Sequence, residues 1–260
     1  MTAKIAIIQM DIAFGKPEIN RKIAAERIKE AANQGAELVL LPELWTTGYD
    51  LENFTTIAED FHGPTHTLLS QLAQQYNLTI MGSSAEKNME QFYNTLVVYN
   101  PQGKRILSYR KAHLFRLMNE EKFLQSGEEK GSFTFKETPV AGVICYDIRF
   151  PEWIRTHMID GSRALFVVAE WPKPRVDHWR SLLISRAIEN QCFVVACNRV
   201  GSDPNNTFGG HSMVIDPWGN VVAEAQEQEE ILTADIDFSA VETIREQIPI
   251  FQDRRPDLYE

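Results

Sequence analysis

Val140-Ala-Gly-Val-Ile-Cys-Tyr-Asp-Ile-Arg-Phe-Pro151 opens with five apolar or small residues and breaks, at a thiol, into a polar turn that ends on proline. The run predicts a buried strand over 140–145, with a helix from about 152 to 159 after the turn. Outward from it the same alternation continues. Residues 164–169 and 192–197 read as apolar strands, 178–190 as the helix between them, and 212–223 as a hairpin turning on Asp216-Pro-Trp-Gly219.

The first half has the same order. A strand over 4–10 precedes a helix over 19–33, with an apolar stripe at Ile19, Ile23, Ile28 and Ala32 and a stop at Gly35. A strand over 37–42 follows. Pro64 opens a helix striped by Leu68, Leu69, Leu72, Ala73 and Tyr76, then comes a strand over 78–83, and 95–109 form a hairpin on Asn100-Pro-Gln-Gly103. Two halves, each a sheet whose helices cover one face, are most economically joined by stacking the sheets. This predicts an α/β fold of four layers, an α-β-β-α sandwich of two mixed sheets with an internal two-fold pseudo-repeat. A doubly wound single sheet is the alternative. Strands apolar at nearly every position fit sheets covered on both faces.

The 260 residues, 43% hydrophobic and even in composition, fit one domain over 1–260. The tail over 239–260, with Pro249 and Arg254-Arg255-Pro256, reads as a short helix and an extended arm of the kind that packs on a partner subunit. Three cysteines without paired spacing, and no hydrophobic leader after Met1, point to a reducing, cytoplasmic setting. No apolar run is long enough to span a membrane. A formal net charge of −10, without a basic cluster, argues against nucleic acid.

The chemistry starts from the thiol. Cys145 stands where an apolar strand gives way to a turn, an exposed and activatable place at the mouth of a sheet. Cys192 and Cys197, five apart in one apolar run, face opposite sides of it and read as core. A free thiol is only a few per cent thiolate at neutral pH, so a nucleophile needs a base or a cation. Glu43 follows the apolar run Leu38-Val-Leu-Leu-Pro42, and Lys111 follows the strand over 105–110. All three sit at strand ends. Singly, each also reads as the point where a chain re-enters water, or as a small buried residue.

Together they resemble the nitrilase superfamily of carbon–nitrogen hydrolases. Its pattern of Glu after an apolar strand and Pro, Lys near His-Leu, and Cys-Tyr-Asp-x-Arg-Phe-x-Glu is met at Glu43, Lys111 and Cys145 through Glu152, and the resemblance covers nearly the whole chain. The segments around Val168-Ala-Glu-Trp-Pro-Lys-Pro-Arg175, Ser185-Arg-Ala-Ile-Glu-Asn190 and Cys197-Asn-Arg-Val-Gly201 resemble its omega-amidase branch, bacterial members linked to methionine salvage in particular. Ala112 departs from the pattern, which has a larger apolar residue between Lys and His.

The resemblance implies a second active-site Glu, at Glu120, with Glu121 the alternative register. It implies a small omega-amide of a dicarboxylate, such as 2-oxoglutaramate, cleaved to acid and ammonia through a Cys145 thioester. Glu43 is then the general base and acid. Lys111 and the Tyr146 N–H hold the oxyanion, and Glu120 orients Lys111 or the substrate. Arg149, Arg175 or Arg116 is to meet the distal carboxylate. Phe150 and Trp171 follow strand ends and line the pocket. A homodimer joined through the outer helices next to Cys145 is expected, and no cofactor.

Other readings are weaker. None of the six histidines stands where a papain-like partner would, and neither a His-Glu-x-x-His zinc motif nor a glycine-rich phosphate loop occurs. Two readings stay open beside the omega-amidase: a hydrolase of another small amide, such as an N-carbamoyl amino acid, and a non-catalytic binding protein on the same fold.

Overall fold

The near-continuous apolar strands pair into two six-stranded sheets in the computed structural model, which describes residues 2–259. In the first sheet β1 (Thr2–Gln9), β2 (Leu38–Leu40) and β3 (Thr79–Asn88) run parallel, and β4 (Gln91–Tyr99) and β5 (Arg105–Arg110) continue it antiparallel. The second sheet repeats the plan. Its β7 (Thr138–Ile144), β8 (Ala164–Ala169) and β9 (Phe193–Asn198) are parallel, flanked by β6 (Ser132–Phe135) on one side and by β10 (Met213–Ile215) and β11 (Val221–Glu224) on the other. The last strand, β12 (Glu230–Asp237), returns to the first sheet and pairs antiparallel with β1 along its whole length.

Helices α1 (Pro17–Asn33) and α3 (Pro64–Tyr76) cover the outside of the first sheet, and α5 (Pro151–Ile159) and α6 (Val176–Asn190) that of the second. Short helices α2 (Phe54–Ile57) and α4 (Glu120–Phe123) lie in the loops between. The four-layer sandwich expected from the sequence is the architecture observed, and the doubly wound alternative is not. Between the sheets Met81, Leu96 and Val98 meet Val140 and Phe166 in one core, while Ala24, Ile28, Leu69 and Leu72 pack with Ile8, Val39 and Leu41 in a second. Every residue of β8 and β9 is buried, as strands covered on both faces must be. Gly142 lets the sheets close, because a Cβ there would lie 2.2 Å from the Met81 side chain of the opposite sheet.

Three expectations shift. On α1 the buried stripe is Asn20, Ala24, Ile28 and Ala31, and Ile19 is half exposed, because the helix starts at Pro17 and turns a polar Asn20 inward to bind the Ala13 and Thr46 carbonyls. Strand β3 runs to Asn88 and makes a second hairpin, its turn at Met89 in the left-handed region. The tail is more docked than an arm. Within it α7 (Ser239–Gln247) buries Val241 and Ile244, and Arg245 bonds the Ser162 and Asn190 carbonyls, before a short α8 (Pro256–Tyr259). Among the described residues no helix is long and apolar enough to cross a membrane.

Candidate active site

Glu43, Lys111 and Cys145, each just beyond a strand, converge between the two sheets. The Lys111 Nζ lies 2.8 Å from Glu43 Oε1 and 2.7 Å from Glu120 Oε1, all three side chains being fully buried. Cys145 lies beside them, close enough that the charges of Glu43, Lys111 and Glu120 all act on its thiol. Glu120 is the member of its pair that enters the cluster, at the start of α4 and with its Oε2 accepting the Phe115 N–H at 2.6 Å, whereas Glu121 is exposed.

Backbone strain marks two of these positions. Cys145 has φ +45° and Leu44, next to Glu43, has φ +41°, a region that residues with a side chain seldom occupy. Asp147 holds the first turn. Its Oδ2 accepts the Ile144 N–H at 3.0 Å and the Tyr109 hydroxyl at 2.8 Å, and its Oδ1 accepts the His113 N–H at 3.0 Å, tying the thiol's turn to the end of β5 and so to Lys111. Ser83 holds the second, its Oγ accepting the Leu44 N–H at 2.8 Å.

Glu43 has a partner on every side. Oε1 accepts from Lys111, from Tyr49 OH at 2.8 Å and from Asn94 Nδ2 at 2.8 Å, while Oε2 accepts the Glu170 N–H at 2.8 Å. Tyr49 OH also lies 2.6 Å from Glu120 Oε1. A phenol has one proton for these two oxygens, so the second contact needs a proton on Glu120. Burial, and the Glu43 charge, raise the Glu120 carboxyl despite Lys111, which favours that proton. Burial alone would push the Lys111 ammonium down, but Glu120 and Glu43 outweigh it and hold it well above its ordinary range.

Cys145 itself is less open than the sequence implies. It is 5% exposed, and burial, then the Glu43 charge, push its thiol well above the ordinary range, Lys111 opposing. The resting sulfur is therefore a thiol beside a carboxylate, and its proton leaves as the sulfur attacks. Cys192 and Cys197 are fully buried, and burial raises both, Cys192 to about 12. A small alkylating agent is expected to label Cys145 in the native protein while the other two react only after unfolding. Equal labelling of all three by mass spectrometry would remove the distinction.

A narrow cleft opens at Cys145, lined by Phe115, Tyr146, Arg149, Glu170, Trp171 and Arg175 among others. Arg149 stacks over Trp171 at 4.8 Å and Arg175 over Phe115 at 5.6 Å, and neither has a carboxylate partner among the described residues. Arg116 is exposed and outside this cleft. Phe150 is outside it too, because its ring stacks on His113 at 3.7 Å and faces a neighbouring pocket. Sequence reading missed Tyr49, Asn94 and Glu170. Only Glu170 carried a signal, an acidic residue ending the apolar run of β8, just as Glu43 and Lys111 follow theirs.

The profile of the carbon-nitrogen hydrolase family matches residues 4–246. The chain is 49% identical over 256 residues to a 2-oxoglutaramate amidase of Bacillus subtilis, covering 98% of each protein. It is 35% identical over 273 residues to the omega-amidase NIT2 of Homo sapiens, covering 98% of this chain and 96% of that one. Among solved structures, a CN-hydrolase superfamily protein of Xanthomonas campestris with an arsenic adduct in its active site superposes with a TM-score of 0.93, at 33% identity over 98% of each chain.

Proposed function

Since the chain belongs to the carbon-nitrogen hydrolase family, we propose that it is an amidase that hydrolyses the terminal amide of a small omega-amido dicarboxylate, such as 2-oxoglutaramate, to the acid and ammonia. The observation that carries this is the buried Glu43 carboxylate, aimed by four donors and set beside Cys145 at the floor of a cleft with two half-buried arginines.

Cys145 Sγ attacks the amide carbon as Glu43 takes its proton, which accounts for a nucleophile that rests as a thiol. Lys111 has three N–H donors, two held by Glu43 and Glu120 at 2.8 and 2.7 Å and the third by a longer contact to Tyr49 OH at 3.3 Å, and this third donor turns to the oxyanion together with the Tyr146 N–H. That N–H lies in the first turn of a 3₁₀ helix, Cys145–Arg149, where no intrahelical acceptor exists. Glu43 returns its proton to the amide nitrogen, ammonia leaves, and Glu43 then activates water against the thioester. Glu120 acts on Lys111 rather than on the substrate. Arg149 and Arg175 meet the distal carboxylate, with Trp171 as the wall between them.

The test is release of ammonia from 2-oxoglutaramate and succinamate, with an N-carbamoyl amino acid alongside, for the wild type and Cys145→Ala. Release from both omega-amides that vanishes in the variant is expected. Turnover of the carbamoyl compound alone would move the substrate class, and an equally active variant would remove Cys145 from its role.

We also infer a homodimer through α5, α6 and the C-terminal segment, in a cytoplasmic setting. Ile159 on α5 and Ile188 on α6 are 42% and 51% exposed, and Leu258 on α8 is 70% exposed. Light scattering is expected to give twice the chain mass of 29.7 kDa. A fully active species at that single-chain mass would count against the dimer.

A further inference from the structure

Glu170 has no part in the mechanism above, yet it lines the same cleft as Cys145. It is fully buried at the end of β8. Its Oε2 accepts Arg199 Nη1 at 2.8 Å, and Arg199 is itself fixed by Asp11 Oδ1 at 2.7 Å, the Ile12 carbonyl at 3.0 Å and the Phe208 ring at 4.2 Å. Its other oxygen, Oε1, is buried and has no hydrogen-bond partner among the described residues. Buried polar atoms are nearly always paired, and an orphaned carboxylate oxygen is costly to keep. The Arg199 clamp holds this one in place.

Position says what it accepts. The Glu170 N–H is bonded to Glu43 Oε2, so Glu170 stands directly behind the group that hands its proton to the departing nitrogen. On the reading of this site as an amidase, that nitrogen must come against Glu43, and a primary amide presents N–H bonds beyond the one lone pair that Glu43 serves. We propose that Glu170 is a substrate-binding residue that selects primary amides, its free Oε1 accepting an N–H of the scissile amide group while Arg199 holds the carboxylate in place. An ester of the same acid has no such hydrogen and gains nothing from it.

The test compares kcat/KM for succinamate and for monomethyl succinate, following the succinate common to both, in the wild type and Glu170→Gln. Glutamine keeps the volume, and because Arg199 claims the amide oxygen it turns its NH2 toward the cleft, donor against donor. Measured at a pH where Glu170 is ionised, the amide value is expected to fall by about 10- to 100-fold with the ester value within about two-fold of wild type, the size of a charge-assisted hydrogen bond lost against a neutral baseline. Parallel loss on both substrates would mean that Glu170 acts only through Glu43 or the fold, and loss on neither that it touches nothing; either result overturns the proposal.

Should the variant not fold, the wild type decides alone. Burial raises the Glu170 carboxyl to about 8 against the opposing pull of Arg199, with Glu43 and Asp203 adding to the rise. A protonated Oε1 turns from acceptor to donor, so the amide-to-ester ratio is expected to climb as pH rises through that value. A flat ratio overturns the proposal. A wild type that hydrolyses neither compound removes the functional reading and this inference together, whereas turnover of both with an unsplit ratio removes this inference alone.

Discussion

Glu43→Gln is expected to lower kcat/KM for the omega-amide by roughly 10²- to 10⁴-fold, the range for a positioned general base. Glutamine matches the shape but not the hydrogen-bond pattern. Oε1 serves three donors and Oε2 a fourth, so either orientation of the side-chain amide sets an NH2 against an N–H or O–H that needs an acceptor. The thiol also loses the group placed to take its proton. Since burial keeps Cys145 protonated, the residual rate is expected to rise about tenfold per pH unit as hydroxide supplies the thiolate instead. Steady-state ammonia release across the pH range checks both effects. A residual rate independent of pH would show that another group removes the proton.

Lys111→Met should cost both activity and stability. Methionine fills most of the same volume but leaves Glu43 and Glu120 buried without their shared cation. Breaking a buried ion pair in this way costs about 3–5 kcal/mol. The loss depends on pH, and its sign follows from Glu120, whose carboxyl burial already raises and which now loses the charge that lowers it. A carboxyl raised in the folded state is harmless below its unfolded value and destabilises as pH climbs toward its folded value. The gap in melting temperature between wild type and variant is therefore expected to be smallest near pH 4.5 and to widen toward pH 8. An equal gap at both values would mean that packing, not charge, is lost. Activity is expected to fall by about 10²- to 10³-fold through the missing oxyanion donor.

Much of this site could be read from residues one at a time. Glu43, Lys111 and Cys145 each break an apolar run at the end of a strand, and the motifs around them carry a family resemblance that the carbon-nitrogen hydrolase profile matches over 4–246. Tyr49 and Asn94 left no such trace. Tyr49 sits in a loop without periodicity and works by bridging Glu43 and Glu120, the second 71 residues away, and Asn94 lies inside β4, where its type argues for nothing. Phe150 shows the opposite error: it follows a strand end like the others, yet stacking on His113 turns it out of the cleft.

The sequence by itself determined the strands, their alternation with helices, and two halves alike in order, because apolar periodicity and Pro–Gly turns are local properties of the chain. Tertiary structure decided which faces meet and which protons are shared. Only the stacked sheets bury Cys145 to 5%, bring two carboxylates to one ammonium, and leave Oε1 unpaired on Glu170, which lines the same cleft as the thiol. Burial and charge coupling depend on distances between residues far apart in the chain, and the order of residues does not encode those distances locally.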